Sequence, residues 1–455
     1  MKTNLWEKYE KDEDKKLVED FCEEYKSFLS ANKTERECVV FAKELAEKNG
    51  FKPLCELIAK NKKLKAGDKV YAINMEKAMV LFVVGQDMIE KGLNITGSHL
   101  DSPRLDLKAK PLYESSGFCL IDTHYYGGIK KYQWTATPLA IHGVVVHKDG
   151  SKTNVVIGES DNDPVLAITD LLPHLEKGDK KDIKGEDLDL LAGNIADTKA
   201  EKDKFKTVVM NILKEKGIEE NDFFSAEFEV VPAGKARDCG VDRSMILGYG
   251  HDDRVCAYTS LKAFMEVEKP KTSAVCLLVD KEEIGSVGAT GMHSKFFENT
   301  IAEIMNLCGQ YSELGVRRAL SHSNMLSSDV TAAIDPTHSS PFNADTDAHF
   351  AKGISFSKFT GYRGKYDAND ANPEFIAKLR DIFDKEGITY QATEMGKVDE
   401  GGGGTIAYIM ANYGMNVIDA GVPVLNMHAP WEIVSKVDVF ETYKAYKAFY
   451  KMDTE

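Results

Sequence analysis

Paired cysteines are missing from this sequence. Its eight cysteines (Cys22, Cys38, Cys55, Cys119, Cys239, Cys256, Cys276 and Cys308) stand singly with no C-x-x-C, which excludes zinc ribbons and thioredoxin-type chemistry and predicts reduced, mostly buried thiols. Long apolar runs are missing too. No stretch approaches the roughly 20 residues a membrane span needs. The N-terminal MKTNLWEKYEKDEDKKL is charged throughout, where a signal peptide would have an apolar centre. A cytoplasmic protein with no membrane partner is the expectation. Positive charge is in deficit: 58 Lys plus Arg face 73 Asp plus Glu, and the net charge of -15 opposes any phosphate backbone, so nucleic acid is not an expected partner. There is no repeat period and no low-complexity tract. The tetraglycine at 401–404 lacks the Lys-Ser/Thr that a P-loop requires, which leaves close backbone packing, or amides facing a substrate carbonyl.

What is present is ordinary globular material. Apolar residues make up 43% of 455 residues, aromatics 9% and charges 29%, enough for a large domain plus a second unit. Helical periodicity covers residues 17–31 and 37–50, and the β-branched runs AMVLFVVG and NITGSHL then read as strands. From 106 to 235 the texture changes to strand-like runs such as FCLIDTHYY, LAIHGVVVH and AEFEVV around a Lys/Asp-rich stretch, as an inserted domain would. Strands and helices alternate again afterwards. The expected fold is α/β, a mixed, mostly parallel sheet sandwiched by helices, split into 1–105 and 236–455 by a β-rich insertion at 106–235.

In such folds, function gathers where parallel strands end. NITGSHL ends on His99, SAVCLLVD runs into Glu282 and Glu283, NMLSSDV carries Asp329, and His428 follows NVIDAG. Asp252 opens a helix just after GYGH. Three carboxylates and two imidazoles are ligands that Zn²⁺ accepts, and soft sulfur is too sparse for an iron–sulfur cluster. With one hydroxide the carboxylates offset two dications, which favours a two-metal site bridged by a carboxylate and a water. Asp252 is the expected bridge, with His99 and Asp329 on one ion and Glu283 and His428 on the other, although its neighbour Asp253 offers the same group. Glu282 and Glu283 diverge in an extended loop, so one can bind metal while the other serves as a base. Asp101, two residues past His99, is placed to accept the ring N–H.

Singly, each of these residues has a plainer explanation. A His-x-Asp arises by chance, Asp252 and Asp253 suit a helix N-cap, and adjacent glutamates are usually a polar loop. Asp345-Thr-Asp347-Ala-His349 imitates a ligand run but reads as a loop. The joint occurrence at strand ends favours the metal site.

GSHLDSPRLDLK, YGHDDRVCAYTSLKA, VDKEEIGSVGATG, SSDVTAAIDP, EGGGGTIA and AGVPVLNMHAPWE follow one another in this order along nearly the whole chain. In these motifs the sequence resembles the M18 metallo-aminopeptidases, the aspartyl aminopeptidase and vacuolar aminopeptidase I group. The resemblance implies a di-zinc hydrolase that removes the N-terminal residue of peptides with a free N-terminus; a carboxylate-rich site also accepts manganese or cobalt. It also implies that the insertion is a dimerisation domain and that the chain forms a homo-oligomer, a dodecamer built from dimers. By motif position it makes His99, Asp252, Glu283, Asp329 and His428 the ligands, Glu282 the base acting on a metal-bridging water, and Asp101 the group that orients histidine. DLLPHLEK matches a stretch that sends a histidine into a neighbouring subunit's site, which nominates His174 for substrate binding. Lys358 and Lys365 are candidates for a substrate-binding lysine. YGGIKKYQW and KFTGYRGKYDANDANPE lean towards the non-aspartyl branch, leaving the preferred first residue open. The rival readings are a metal-dependent deacylase or carboxypeptidase, and an inactive shell-forming scaffold.

Overall fold

The computed structural model describes residues 4–175 and 183–453. The chain divides into two compact units, one of 1–101, 236–427 and 432–455, the other of 102–235 and 428–431.

The first unit is built on a nine-stranded sheet. Its strands run in the spatial order Lys52–Pro53, Lys69–Asn74, Ala78–Val83, Ser273–Val279, Leu93–His99, Asn324–Ser327, Asn416–Gly421, Ile354–Ser357 and Tyr390–Thr393. The four central strands, from Ser273–Val279 to Asn416–Gly421, are parallel to one another. Each of the strands Ala78–Val83, Leu93–His99 and Ser273–Val279 is buried along its whole length. That explains why they read as continuous apolar runs, since both faces of such a sheet are covered. Alternate residues feed two separate cores: Met79, Leu81 and Val83 pack into one, Val80, Phe82 and Val84 into the other. Helices Asp12–Ala31, His251–Met265 and Lys436–Phe449 contribute to the first core. Phe296–Leu307 and Glu313–Ser321 contribute to the second. A small five-stranded sheet (Arg237–Cys239, Met245–Gly248, Glu432–Ser435, Pro423–Leu425, Thr331–Ala332) completes the unit.

The second unit is a six-stranded sheet in the order Lys152–Ile157, Leu139–Val146, Ala226–Pro232, Arg104–Ser115, Phe118–Tyr126 and Leu190–Gly193. All its pairings are antiparallel. Helix Lys204–Glu215 and several short turns belong to it. The Lys/Asp-rich stretch lies partly outside the described residues, as do Glu176 and Lys177 of DLLPHLEK. All eight cysteines are free thiols. Among the described residues no helix is long and apolar enough to cross a membrane.

Candidate metal centre

His99 is the last residue of a central strand, and the parallel ladder pairs it with Val279 of the neighbouring strand. That pairing fixes the level at which the next loop leaves the sheet, so Glu282 and Glu283 emerge beside His99. Their short helical turn, Glu282–Ile284, is entered through Lys281 in the left-handed region (φ 68°) and closed by Gly285 (φ 92°).

On the other side, Asn324–Ser327 pairs with Leu93–His99, matching Ser327 with Gly97. Ser328 N donates to Gly97 O at 2.7 Å, and the chain turns there to present Asp329. Asp252 lies at the mouth of helix His251–Met265, where it and Asp253 keep non-helical backbone angles and share a cis peptide bond.

These placements bring four segments of the first unit together. His99 is 2% exposed, and its Nε2 lies 3.1 Å from Asp252 Oδ1, 3.9 Å from Asp329 Oδ1 and 4.0 Å from Glu282 Oε2. His99, Asp252 and Asp329 present ligand atoms within 4.8 Å of one another, and so do His99, Glu282 and Glu283. The other ring nitrogen, Nδ1, is 2.9 Å from the Asp101 carbonyl oxygen. A carbonyl can only accept, so Nδ1 carries a proton and Nε2 faces the cluster.

Burial alone would lower the His99 pKa. Hydrogen bonding with Asp101 and Asp252 and the charges of Asp329 and Glu282 outweigh it and hold the imidazole well above its ordinary value. Asp329 is pushed well above the carboxylate range by burial, with His99 opposing and the charges of Glu282, Asp252 and Asp419 adding to the rise. Buried acids that raise one another in this way need positive charge among them. The donor set, carboxylate oxygens with one imidazole nitrogen, fits zinc.

Asp101 does more than its spacing foretold. Its Oδ1 lies 3.4 Å from His99 Nδ1, farther than its own carbonyl oxygen. Both carboxylate oxygens accept backbone hydrogen bonds, Oδ1 from Glu282 N at 3.2 Å and Oδ2 from Glu283 N at 3.1 Å.

The two adjacent aspartates are placed differently. Asp252 faces His99 Nε2, while Asp253, fully buried, accepts from the His99 backbone N at 3.3 Å. Glu432 carries no signal in the sequence beyond its place in MHAPWE. It is 1% exposed, and its Oε2 accepts from Asp252 N at 3.0 Å.

His428 sits in the connection between strands Pro423–Leu425 and Glu432–Ser435, at φ 65°, in the segment assigned to the second unit. There its Nδ1 donates to Gly128 O at 3.0 Å, and a Cβ on Gly128 would come within 3.3 Å of that nitrogen. His174 is exposed in the second unit. Lys358 follows strand Ile354–Ser357, which runs antiparallel to Asn416–Gly421 and pairs Ser357 with Asp419. That register carries Lys358 away from the edge where His99 and Asp329 lie. Lys365 is engaged at 2.9 Å with Asp370.

The tetraglycine is close backbone packing at its first two positions. A Cβ on Gly401 would lie 2.1 Å from Met395 O, and one on Gly402 2.6 Å from Gly361 O. The decoy run is a loop, in which Asp347 accepts from Asn343 N and Gly396 N at 2.7 and 3.0 Å.

With this geometry in place, similarity to known proteins decides the lineage. The family model described as aminopeptidase I zinc metalloprotease (M18) matches residues 28–450. The chain belongs to the M18 family. It is 55% identical over 455 residues to a protein of Clostridium acetobutylicum named a probable M18 family aminopeptidase 1, covering 98% of this chain and 97% of that one. The crystal structure of an M18 family aminopeptidase from Thermotoga maritima superposes with a TM-score of 0.94 at 43% identity, covering 99% of each chain. The S. cerevisiae mApe1 dodecamer shares the fold at 21% identity, with a TM-score of 0.75 and 96% of each chain covered. The chain is therefore an M18 aminopeptidase, a metalloprotease hydrolase acting on peptides.

Proposed function

We propose that this aminopeptidase holds two zinc ions, with manganese or cobalt as alternative occupants, on His99, Asp252, Glu283, Asp329 and His428, and that Glu282 is its general base. The observation that carries the proposal is the convergence on His99 Nε2 of Asp252, Asp329 and Glu282 at 3.1, 3.9 and 4.0 Å. Asp252, which faces the imidazole directly, would be the carboxylate common to both ions. His428 supplies the remaining imidazole; its Nδ1 proton is committed to Gly128, which leaves Nε2 for a metal. Zinc, when bound, supplies Lewis acidity that makes a water easier to deprotonate and a peptide carbonyl easier to attack.

The chain's own residues do the rest. Glu282, held by its backbone N–H to Asp101, takes a proton from the attacking water as the water oxygen bonds to the first carbonyl carbon. The same carboxyl then delivers that proton to the amine nitrogen as the C–N bond breaks. His174 completes the substrate site across an interface between subunits. The second unit mediates dimerisation, and dimers assemble into a dodecamer.

The direct test is Glu282→Gln assayed on an aminoacyl-amide series, with zinc content measured alongside. Turnover should fall by about 10²–10⁴-fold, the range for loss of a general base, with both metals retained. Near-normal turnover with both metals bound would remove Glu282 from the mechanism.

A further inference from the structure

Beneath the proposed ligands lies a buried carboxylate that the proposed mechanism leaves without a task. Asp419 is 4% exposed, in the strand Asn416–Gly421. The parallel ladder sets it opposite Ser327, and Ser327 opposite Gly97. Both of those partners stand two residues before a proposed ligand, Gly97 before His99 and Ser327 before Asp329. Alternate strand residues share a face, so Asp419 lies on the face of His99, about 6.6 Å lower along the strand direction. Packing agrees: Val417 joins the core that holds Ile95 and Met325, whereas Ile418 and Ala420 join the opposite one. At the level of the ligands the same strand carries Gly421, where a Cβ would lie 2.0 Å from the Asp329 carbonyl oxygen. The strand therefore presses directly on the Asp329 segment.

The two oxygens of Asp419 are used differently. Oδ1 accepts from the Thr405 hydroxyl at 2.6 Å, and Thr405 ends the glycine segment 401–404. Oδ2 is buried, and beside the Thr405 contact the Ser327 hydroxyl also hydrogen-bonds to this carboxylate. A buried carboxylate held by neutral hydroxyls is costly unless a positive charge lies nearby. The ligand layer above would supply one when a metal is bound.

Resting on the reading of Asp329 as a ligand, we propose that Asp419 is a positioning residue for the metal centre: it strengthens zinc binding at Asp329 and, through Thr405, anchors the glycine segment to the same strand. A fixed negative charge in a poorly screened interior attracts a dication across such a distance. Outer partners of this kind typically change metal affinity by about 10–100-fold when removed.

The test uses the full chain. Asp419→Asn keeps the shape and an acceptor for Thr405 but removes the charge, while Thr405→Val removes only the anchor. In chelator competition with Zn²⁺, Asp419→Asn should release one of the two ions at least about tenfold more readily. Thr405→Val should leave both zinc affinities unchanged and lower kcat/KM. If Asp419→Asn does not fold, Asp419→Ser is measured in its place. Wild-type zinc affinity in a folded Asp419 variant overturns the proposal. Asp329→Asn is the control: if it keeps both ions at wild-type affinity, the ligand reading fails, independently of Asp419.

Discussion

Both carboxylate oxygens of Asp101 are committed to the N–H groups of Glu282 and Glu283, so this residue sets the placement of the proposed base and of a proposed ligand together. Asp101→Asn would turn an N–H₂ towards one of those backbone donors. Zinc affinity and kcat/KM should each fall by about 10–100-fold, read by chelator competition and steady-state kinetics. Wild-type values for both would show that the turn holds itself. The sequence made His99, Asp101 and the glutamate pair visible, because strand ends and the motifs around them are local features. It could not show that Asp101 reaches Glu282, a contact that depends on Val279 pairing with His99. Asp419 and Glu432 stayed unmarked for the same reason, since each matters only through the strand beside it.

At the scale of elements, the C-terminal helix Lys436–Phe449 shows why periodicity has limits. It is buried on most of its circumference, including Asp438, Glu441 and Thr442, so it lacks the polar face that marks a surface helix. The strands were legible because they lie between two covered faces. Glu441 ties this helix to the N-terminal turn Leu5–Tyr9: it accepts from Lys8 Nζ at 2.5 Å, from the Tyr9 hydroxyl, and from Thr389 N at 2.6 Å. Burial alone would raise its pKa, but the hydrogen bonds from Lys8 and Tyr9 prevail and hold it below the usual glutamate range. With the folded pKa depressed, the stabilisation is present above the unfolded pKa and is lost as pH falls through the folded one. Glu441→Gln should therefore destabilise by about 1–3 kcal/mol at pH 7. The gap should narrow once pH drops below about 4.3. Urea midpoints of metal-stripped wild type and variant at the two pH values test this, and a gap independent of pH would contradict it.

At the scale of the whole molecule, the second unit carries His174 among exposed apolar side chains: Leu171, Leu172 and Leu175 are 45, 48 and 65% exposed. Exposed leucines so closely grouped suit a surface that another chain covers. Native mass measurement should give twelve times the 50.5 kDa of one chain. His174→Ala should leave that mass unchanged while lowering kcat/KM by about tenfold, the worth of one hydrogen bond to a charged group. A monomer of wild-type activity would exclude both the assembly and the shared site.

The order of strands in the large sheet also bears on how the protein comes into being. Leu93–His99 lies between Ser273–Val279 and Asn324–Ser327, and Asn416–Gly421 flanks the strand that leads to Asp329. A chain made from its N-terminus gains His99 early but lacks one flank of the strand leading to Asp329 until residue 421 has left the ribosome. On the proposed reading of Asp329 as a ligand, copies that end before this strand lack a complete metal centre and should not cleave peptides.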